Sequence, residues 1–450
     1  MVEKKWLKKQ ADKVRKVDYI DPALYRKYGV KRGLRNDNGT GVLVGLTTIG
    51  NVHGYVMDEG EKQAIPGELY YRGINVKDIV EADKKEHRFG YEETAYLLLF
   101  GELPTAKALD DWRAKIGSYR RLTEAFRDNA IMRDPPKDLM NALARAVLFA
   151  YAYDPEGDPD DLSIEKCLEQ SIDLIGSLPT IAAYAYQAKS HYHDGASLMI
   201  RNPDPAKSTA ENILMLTRED GRYTKLEAET LDLALILHAE HGGGNNSSFT
   251  THVVTSSHSD IYSSVASSIL SLKGGRHGGA NLRVMRQMEE IMWNVKNWSK
   301  EENIIKYLER IADKKAGDKT GLIYGLGHAV YTISDPRAQL LKAKAEALAK
   351  EKGREAQMLL LERIEKFGPA IIKKRHPHAE DVCANVDLYS GFVYDMLGIP
   401  KDLYTPLFAI ARCVSWCAHR MEELVNAGPI IRPAYKPIFH PRDYVKLSDR

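Results

Sequence analysis

The stretch PLFAIARCVSWCAHRMEELVN, residues 406–426, repeats apolar side chains at the spacing of a helix. It also sets Arg412 among Phe408, Ile410, Val414 and Trp416. A guanidinium is costly to bury unpaired, so a helix of this kind needs an anion beside it. An internal carboxylate and a substrate carboxylate both meet that need.

The same helical spacing recurs on both sides of this stretch. It marks residues 91–105, 137–153, 164–189, 225–241, 263–275, 281–295, 338–352 and 386–398. Strand-like alternation is confined to TGVLVGLTTIGNVHGYVM (40–57) and GELYYRG (67–73). Strand and helix patterns do not alternate, which argues against a Rossmann-type parallel sheet. The expected fold is all-α (mainly α) with a minor N-terminal β element. No internal repeat or low-complexity linker is evident, so a second domain is expected as an insertion.

Composition narrows the function classes. Of 450 residues 44% are apolar, enough for a sizeable core. The 64 basic and 62 acidic residues leave a formal charge of +2, with no nucleic-acid or membrane footprint. No apolar run reaches the length of a membrane span. The opening MVEKKWLKKQADKVRKVDY is basic, lacks the apolar core of a secretory signal and reads as a solvated helix or arm. Cys167, Cys383, Cys413 and Cys417 do not form a disulfide framework, and read as core thiols of a cytoplasmic protein.

Histidines and arginines fall in distinctive places. In GLIYGLGHAVYTISDPR (321–337), Asp335 suits an N-cap and Pro336 the first helical position. Arg337 then occupies the first turn, where the macrodipole disfavours a cation unless an anion shares the corner. His328 precedes it beside glycine. In LHAEHGGGNNSS (237–248), the triple glycine ends a helix and His241 falls in its last turn. His238 and His241 lack zinc-protease spacing, and no metal is expected. His277 sits between glycine pairs in LKGGRHGGANLRV (272–284), near the start of a helix. The positive field there favours a neutral imidazole, which can donate a hydrogen bond to an enolate oxygen. In CANVDLYSGFVY (383–394), Asn385 or Asp387 suits an N-cap, and Asp387 is otherwise a general base tuned by burial. Arg432 lies in an extended, proline-rich end segment.

Three arginines suit a substrate with two carboxylates, and three histidines with one aspartate supply acid–base groups. No Ser-His-Asp elbow, Walker loop or GxGxxG accompanies them. The set points to carbon chemistry on a dicarboxylate, with no metal and no redox cofactor.

These residues stand in blocks whose order and spacing resemble the citrate synthase family, 2-methylcitrate synthases included. The blocks run from about Gly41 to Lys436: ELYYRGINVKDI, AYLLLFGELPT, HAEHGGGN, RHGGAN, GLGHAVYTISDPR, NVDLYSG, ARCVSWCAHR and IIRP. The resemblance implies acetyl-CoA and oxaloacetate as substrates and a role for each matched residue. His277 would hydrogen-bond the thioester oxygen, Asp387 would remove the acetyl proton, and His328 would protonate the oxaloacetate carbonyl. His241, Arg337 and Arg412 would hold oxaloacetate. Arg432 would reach into the neighbouring subunit's site, which implies a homodimer. Leu322, Tyr324, Gly325, Leu326 and Gly327 would meet CoA. The implied organisation is an arm (1–40), a large helical domain (41–279 and 395–450) and an inserted small helical domain (280–394).

The chain departs from the family pattern at Thr332, where many relatives carry a basic residue, and at Leu326, where an aromatic is usual. Lys373, Lys374 and Arg375 are placed to replace the missing phosphate contact, or form a solvated charge run. Three other readings remain: 2-methylcitrate synthase with propionyl-CoA, a catalytically silent homologue, and a metal-dependent hydrolase using His238 and His241.

Overall fold

The computed structural model describes residues 2–59, 61–154, 158–275, 277–377 and 380–450, and Arg276 of the RHGGAN block lies outside them. The fold is mainly helical, with one three-stranded sheet near the N-terminus. The chain separates into two compact units. Residues up to Leu46 with Met57–Lys62 form one, and Thr47–Val56 with Gln63–Arg450 the other. In the first, the helix Val2–Val17 is largely exposed, as its basic sequence predicts. Asp21 caps a second helix, Pro22–Lys27, and Arg35 pairs with Gly41 in an isolated bridge.

In the second unit, the 406–426 stretch becomes the helix Tyr404–Asn426, buried without a break from Tyr404 to Met421. A helix buried all round belongs in a core, and this one carries Arg412, Ser415, His419 and Arg420 into it. It packs against the helices Tyr91–Phe100, Ile164–Asp194, Lys225–His238, Asn246–Thr255 and Ile261–Lys273. The helix Pro336–Lys352 starts as its sequence dictates: Asp335 caps it, its carboxylate accepting the Arg337 N–H, and Pro336 opens it. It packs on the helices Asp387–Met396 and Lys225–His238.

Two local expectations are corrected. Residues 42–48 form no strand, and Leu43 and Leu46 are 84% and 90% exposed. Apolar residues stabilise a strand only where one face packs, and these have none. The ladder instead runs Gly50–Asp58, Glu61–Tyr71, Ile74–Asn75, with Tyr70 opposite Asn75 in the antiparallel second pair. The helix expected to reach His241 ends at His238. Glu240 turns its carboxylate back to accept the Gly242 N–H, and Tyr71 donates its hydroxyl to the carbonyls of Ile236 and Glu240. The glycines end the helix, and these side chains decide where.

Candidate active site

His241 leaves that helix end buried, 9% exposed, with its ring 5.0 Å from His328 and 5.8 Å from Tyr331. Its Nε2 hydrogen-bonds to no described residue. Burial, followed by the fields of Arg337, His328, Arg412 and His277, holds its pKa well below the ordinary value, so it is neutral.

His328 has a fixed tautomer. Its Nδ1 accepts the backbone N–H groups of Val330 and Tyr331, both at 3.1 Å. An accepting Nδ1 places the ring proton of the neutral form on Nε2. Tyr331 stacks on the ring at 4.8 Å and donates its hydroxyl to the Glu68 carbonyl at 3.1 Å. The sheet approaches this loop closely: a Cβ on Gly67 would fall 2.1 Å from the Ser334 carbonyl oxygen and 2.5 Å from the Tyr331 ring. That glycine lets the small β element brace the loop.

Asp387 is brought beside this loop by backbone pairing. Leu326 bridges to Ala384, and Gly327 donates its N–H to the Cys383 carbonyl at 2.8 Å. Asn385 completes the seam. Its N–H donates to Gly325 O at 2.9 Å and its Nδ2 to Gly327 O at 2.8 Å, while its Oδ1 accepts the Asp387 N–H at 3.0 Å. Val386 holds the N-cap position without a side-chain cap, and Asn385 rather than Asp387 meets the first N–H of the helix, which leaves the Asp387 carboxylate for other work. Burial pushes that carboxyl up to about 6, with Arg337 pulling it down and Asp335 adding to the rise.

Gly325 makes the seam possible. Its φ is +85°, and a Cβ there would lie 2.9 Å from Leu388 Cα. Gly325→Ala is expected to destabilise the chain by about 1–3 kcal/mol. Turnover should fall with it, because the seam carries both His328 and Asp387. Urea denaturation alongside steady-state assay checks this, and an unchanged midpoint with full activity contradicts it.

His277 lies on the turn between the helices Ile261–Lys273 and Ala280–Asn294. Its Nε2 is 3.2 Å from Ser247 Oγ, which also accepts the Trp416 indole N–H at 3.1 Å. Burial, aided by Arg412, lowers its pKa to about 4. Gly278 packs so closely beside it that a Cβ would meet Leu272 O at 2.6 Å.

The two inner arginines differ. Arg337 is gripped by Asp335, Nε to Oδ1 at 3.0 Å and Nη2 to Oδ2 at 2.7 Å. That is the anion its helix-start position demands. Arg412, 0% exposed, donates Nε–H to the His238 carbonyl at 2.7 Å, while Nη1 and Nη2 hydrogen-bond to no described residue. Burial lowers its pKa to about 10, so it remains a cation at neutral pH. The internal carboxylate that the sequence left open as its partner is not bonded to it. His238 and His241 face different neighbours, His238 packing on Phe408 at 4.3 Å.

Thus His241, His277, His328, Arg337, Asp387 and Arg412 act on one another electrostatically at one place. The other expected residues lie elsewhere. Arg432 is exposed on the segment after the Tyr404–Asn426 helix. Lys374 pairs with Glu309 at 3.4 Å, and Arg375 with Asp313 at 2.9 Å. Leu322 is 55% exposed, whereas Leu326 packs inward over Gly368, where a Cβ would be 2.2 Å from its Cδ1. Tyr324 donates its hydroxyl to Asp318 at 2.5 Å and accepts from Arg283 at 3.4 Å. Arg283 is thus a cation beside the 322–327 loop that the sequence reading passed over. Ser247 was passed over as well, whereas Asn385 was already a capping candidate beside Asp387.

The model of the family described as "Citrate synthase, C-terminal domain" matches residues 38–434. The chain is 34% identical to the citrate synthase of Haloferax volcanii over 371 residues, covering 82% of this chain and 88% of that one. It is 31% identical to 2-methylcitrate synthase 1 of Corynebacterium glutamicum over 392 residues, covering 85% and 92%. Among solved structures, the citrate synthase of Thermoplasma acidophilum, a ternary complex with carboxymethyl coenzyme A and oxaloacetate, superposes with a TM-score of 0.76. That match has 26% identity and covers 94% of this chain and 99% of the other. With the family match spanning the whole cluster from His241 to Arg412, and relatives above 30% identity along most of the sequence, this chain belongs to the citrate synthase family of acyltransferases.

Proposed function

We propose that the chain condenses acetyl-CoA with oxaloacetate to give citrate and CoA. The observation that carries this is Arg412: a buried guanidinium with two unbonded nitrogens, beside a neutral His241 and the carboxylate-held Arg337. Oxaloacetate supplies the carboxylate that would fill that corner. A homologue at 26% identity holds oxaloacetate with a CoA analogue, which supports the pairing of substrates.

Each step then falls to a placed group. Asp387 takes a proton from the acetyl methyl group, and the charge moves to the thioester oxygen. Neutral His277 donates to that oxygen when Ser247 donates its hydroxyl to Nε2 and the ring proton sits on Nδ1. The enolate carbon attacks the oxaloacetate carbonyl carbon, and His328 gives its Nε2 proton to the new alkoxide. Water then cleaves the thioester of citryl-CoA, releasing the CoA thiol and citrate. Every group involved is an amino-acid side chain, and acetyl-CoA enters as a substrate. Arg432 is proposed to serve the partner's site in a homodimer, and segment 280–394 to close over the substrates.

The test is CoA-thiol release with oxaloacetate and either acetyl-CoA or propionyl-CoA. We expect the acetyl substrate to have the higher kcat/KM. One methyl group is worth about 1–3 kcal/mol in an apolar pocket, so propionyl-CoA should retain measurable activity. A propionyl preference makes the chain a 2-methylcitrate synthase, and no release with either substrate refutes the condensation.

The pH profile has a defined sign. Asp387 acts as a base only when ionised, and its carboxyl titrates at about 6. kcat/KM should therefore fall about tenfold per unit as pH drops below that value. His277 stays neutral until about 4, so it does not set this limb. A profile flat down to pH 5 contradicts the assignment of Asp387.

A further inference from the structure

Beneath the His241–Gly244 loop runs a buried chain of titratable groups that the reaction above does not use. Glu423 Oε2 is 2.8 Å from His252 Nδ1, His252 Nε2 is 3.2 Å from His419 Nδ1, and His419 Nε2 is 3.2 Å from Glu240 Oε2. Glu422 Oε2 stands 3.8 Å from His419 Nδ1, while its Oε1 accepts the Thr48 N–H at 2.7 Å. Glu240 and His419 are both 0% exposed. Strand residue Gly50 makes the room, since a Cβ there would be 2.6 Å from Glu240 Cγ.

The proton count in this chain is constrained. Ionised carboxylates only accept, so His252 Nδ1 and His419 Nε2 must each carry a proton. The two facing nitrogens then need one more proton between them, and one ring is an imidazolium. His419 is that ring, because carboxylates of Glu240 and Glu422 flank it; despite burial its pKa rises to about 9. Burial disfavours the charge on His252, and its neighbour His419 does so as well. His252, His419 and Glu422 also lie within 4.8 Å of one another, a spacing that suits a metal. The shared proton already occupies both facing nitrogens, however.

The consequence lies two turns away on the same helix face, where Arg412 precedes His419. Glu240 is the carboxylate whose field acts most strongly on Arg412, yet its oxygens bond to His419 and the Gly242 N–H. We propose that His419 is a positioning residue for dicarboxylate binding: its imidazolium holds the Glu240 carboxylate, which would otherwise pair with Arg412 and block the substrate. Both buried cations face Glu240, and its pairing with His419 leaves the Arg412 guanidinium for substrate. This rests on reading Arg412 as the substrate carboxylate site.

Calorimetry with oxaloacetate on the full-length chain, without acyl-CoA, tests it. His419→Gln keeps a donor toward Glu240 and removes the charge. It should weaken oxaloacetate binding by about tenfold or more, with kcat at saturation within about threefold of the parent. The double variant His419→Gln/Glu240→Gln removes the competing carboxylate and should return affinity to within about threefold. A merely structural role predicts a double variant no better than the single one, and that result overturns the proposal. Should His419→Gln fail to fold, Glu240→Gln alone decides. It must bind oxaloacetate as tightly as the parent or more so, and a tenfold loss overturns the proposal. Stoichiometric divalent metal in protein purified without a tag would do the same, by replacing the shared proton. A parent that binds oxaloacetate but releases no CoA thiol loses the condensation reading and keeps this one. A parent that binds no oxaloacetate loses this one.

Discussion

Asp387→Asn is expected to lower kcat by about 10²–10⁴-fold, the range spanned by a positioned general base. Asparagine keeps the size and one acceptor oxygen and removes the basic one. The position gives the loss its size. A carboxyl with an ordinary value of 3.8 is a weak base toward a carbon acid, and burial lifts this one to about 6. It is therefore stronger as a base and still mostly ionised at neutral pH. The same shift separates lost chemistry from lost structure. A carboxyl whose pKa is higher folded than unfolded binds its proton more tightly in the folded state. Above about 6 the ionised form thus costs stability, and that cost disappears as pH falls toward 3.8. Removing the charge should leave the midpoint of thermal unfolding at pH 7 unchanged or raised. Thiol-release kinetics with a melting curve decides it: a variant within tenfold of the parent rate removes Asp387 from the base role.

How the site was legible follows from where its determinants lie in the chain. The helical cores, the Asp335-Pro336 start and the glycine-flanked histidines are local signals, carried within a few residues by periodicity, caps and backbone freedom. The need of Arg337 for an anion was local too, and its answer proved to be Asp335, two residues away. Other determinants join distant segments. The 406–426 stretch announces a charge needing a partner, but only the folded chain shows that Glu240, far away in sequence, is held by His419 instead. The seam that sets Asp387 beside His328 pairs Leu326 with Ala384, neither of which carries a chemical signature. The end of the helix at His238 is of the same kind, since Tyr71 reaches the Ile236 and Glu240 carbonyls through tertiary hydrogen bonds. The resemblance to a family supplied roles for these residues, and the geometry supplied their protonation states and partners.

Arg412→Met should separate binding from stability in the opposite direction to most core substitutions. Its Nη1 and Nη2 are buried and hydrogen-bond to no described residue, so the substrate-free protein bears the desolvation of a cation with only one bond, to the His238 carbonyl, in return. Methionine has similar length, no charge and an adaptable packing surface against Phe408, which now sits 4.9 Å from the guanidinium carbon. The variant should therefore melt at or above the temperature of the parent. A carboxylate held by two charge-assisted hydrogen bonds is worth about 3–6 kcal/mol, at roughly 1.5–3 kcal/mol each. Oxaloacetate KM should accordingly rise by about 10²–10⁴-fold. A ligand that binds only the folded state raises the melting temperature by mass action, so oxaloacetate should stabilise the parent and leave the variant unmoved. Retained stabilisation by oxaloacetate would show that Arg337 and His241 suffice to hold the dicarboxylate. A sharp fall in melting temperature without ligand would show that Arg412 is a structural cation whose partner is the fold itself. A rise, together with lost binding, identifies a charge kept buried at the expense of stability because the substrate completes its hydrogen bonds.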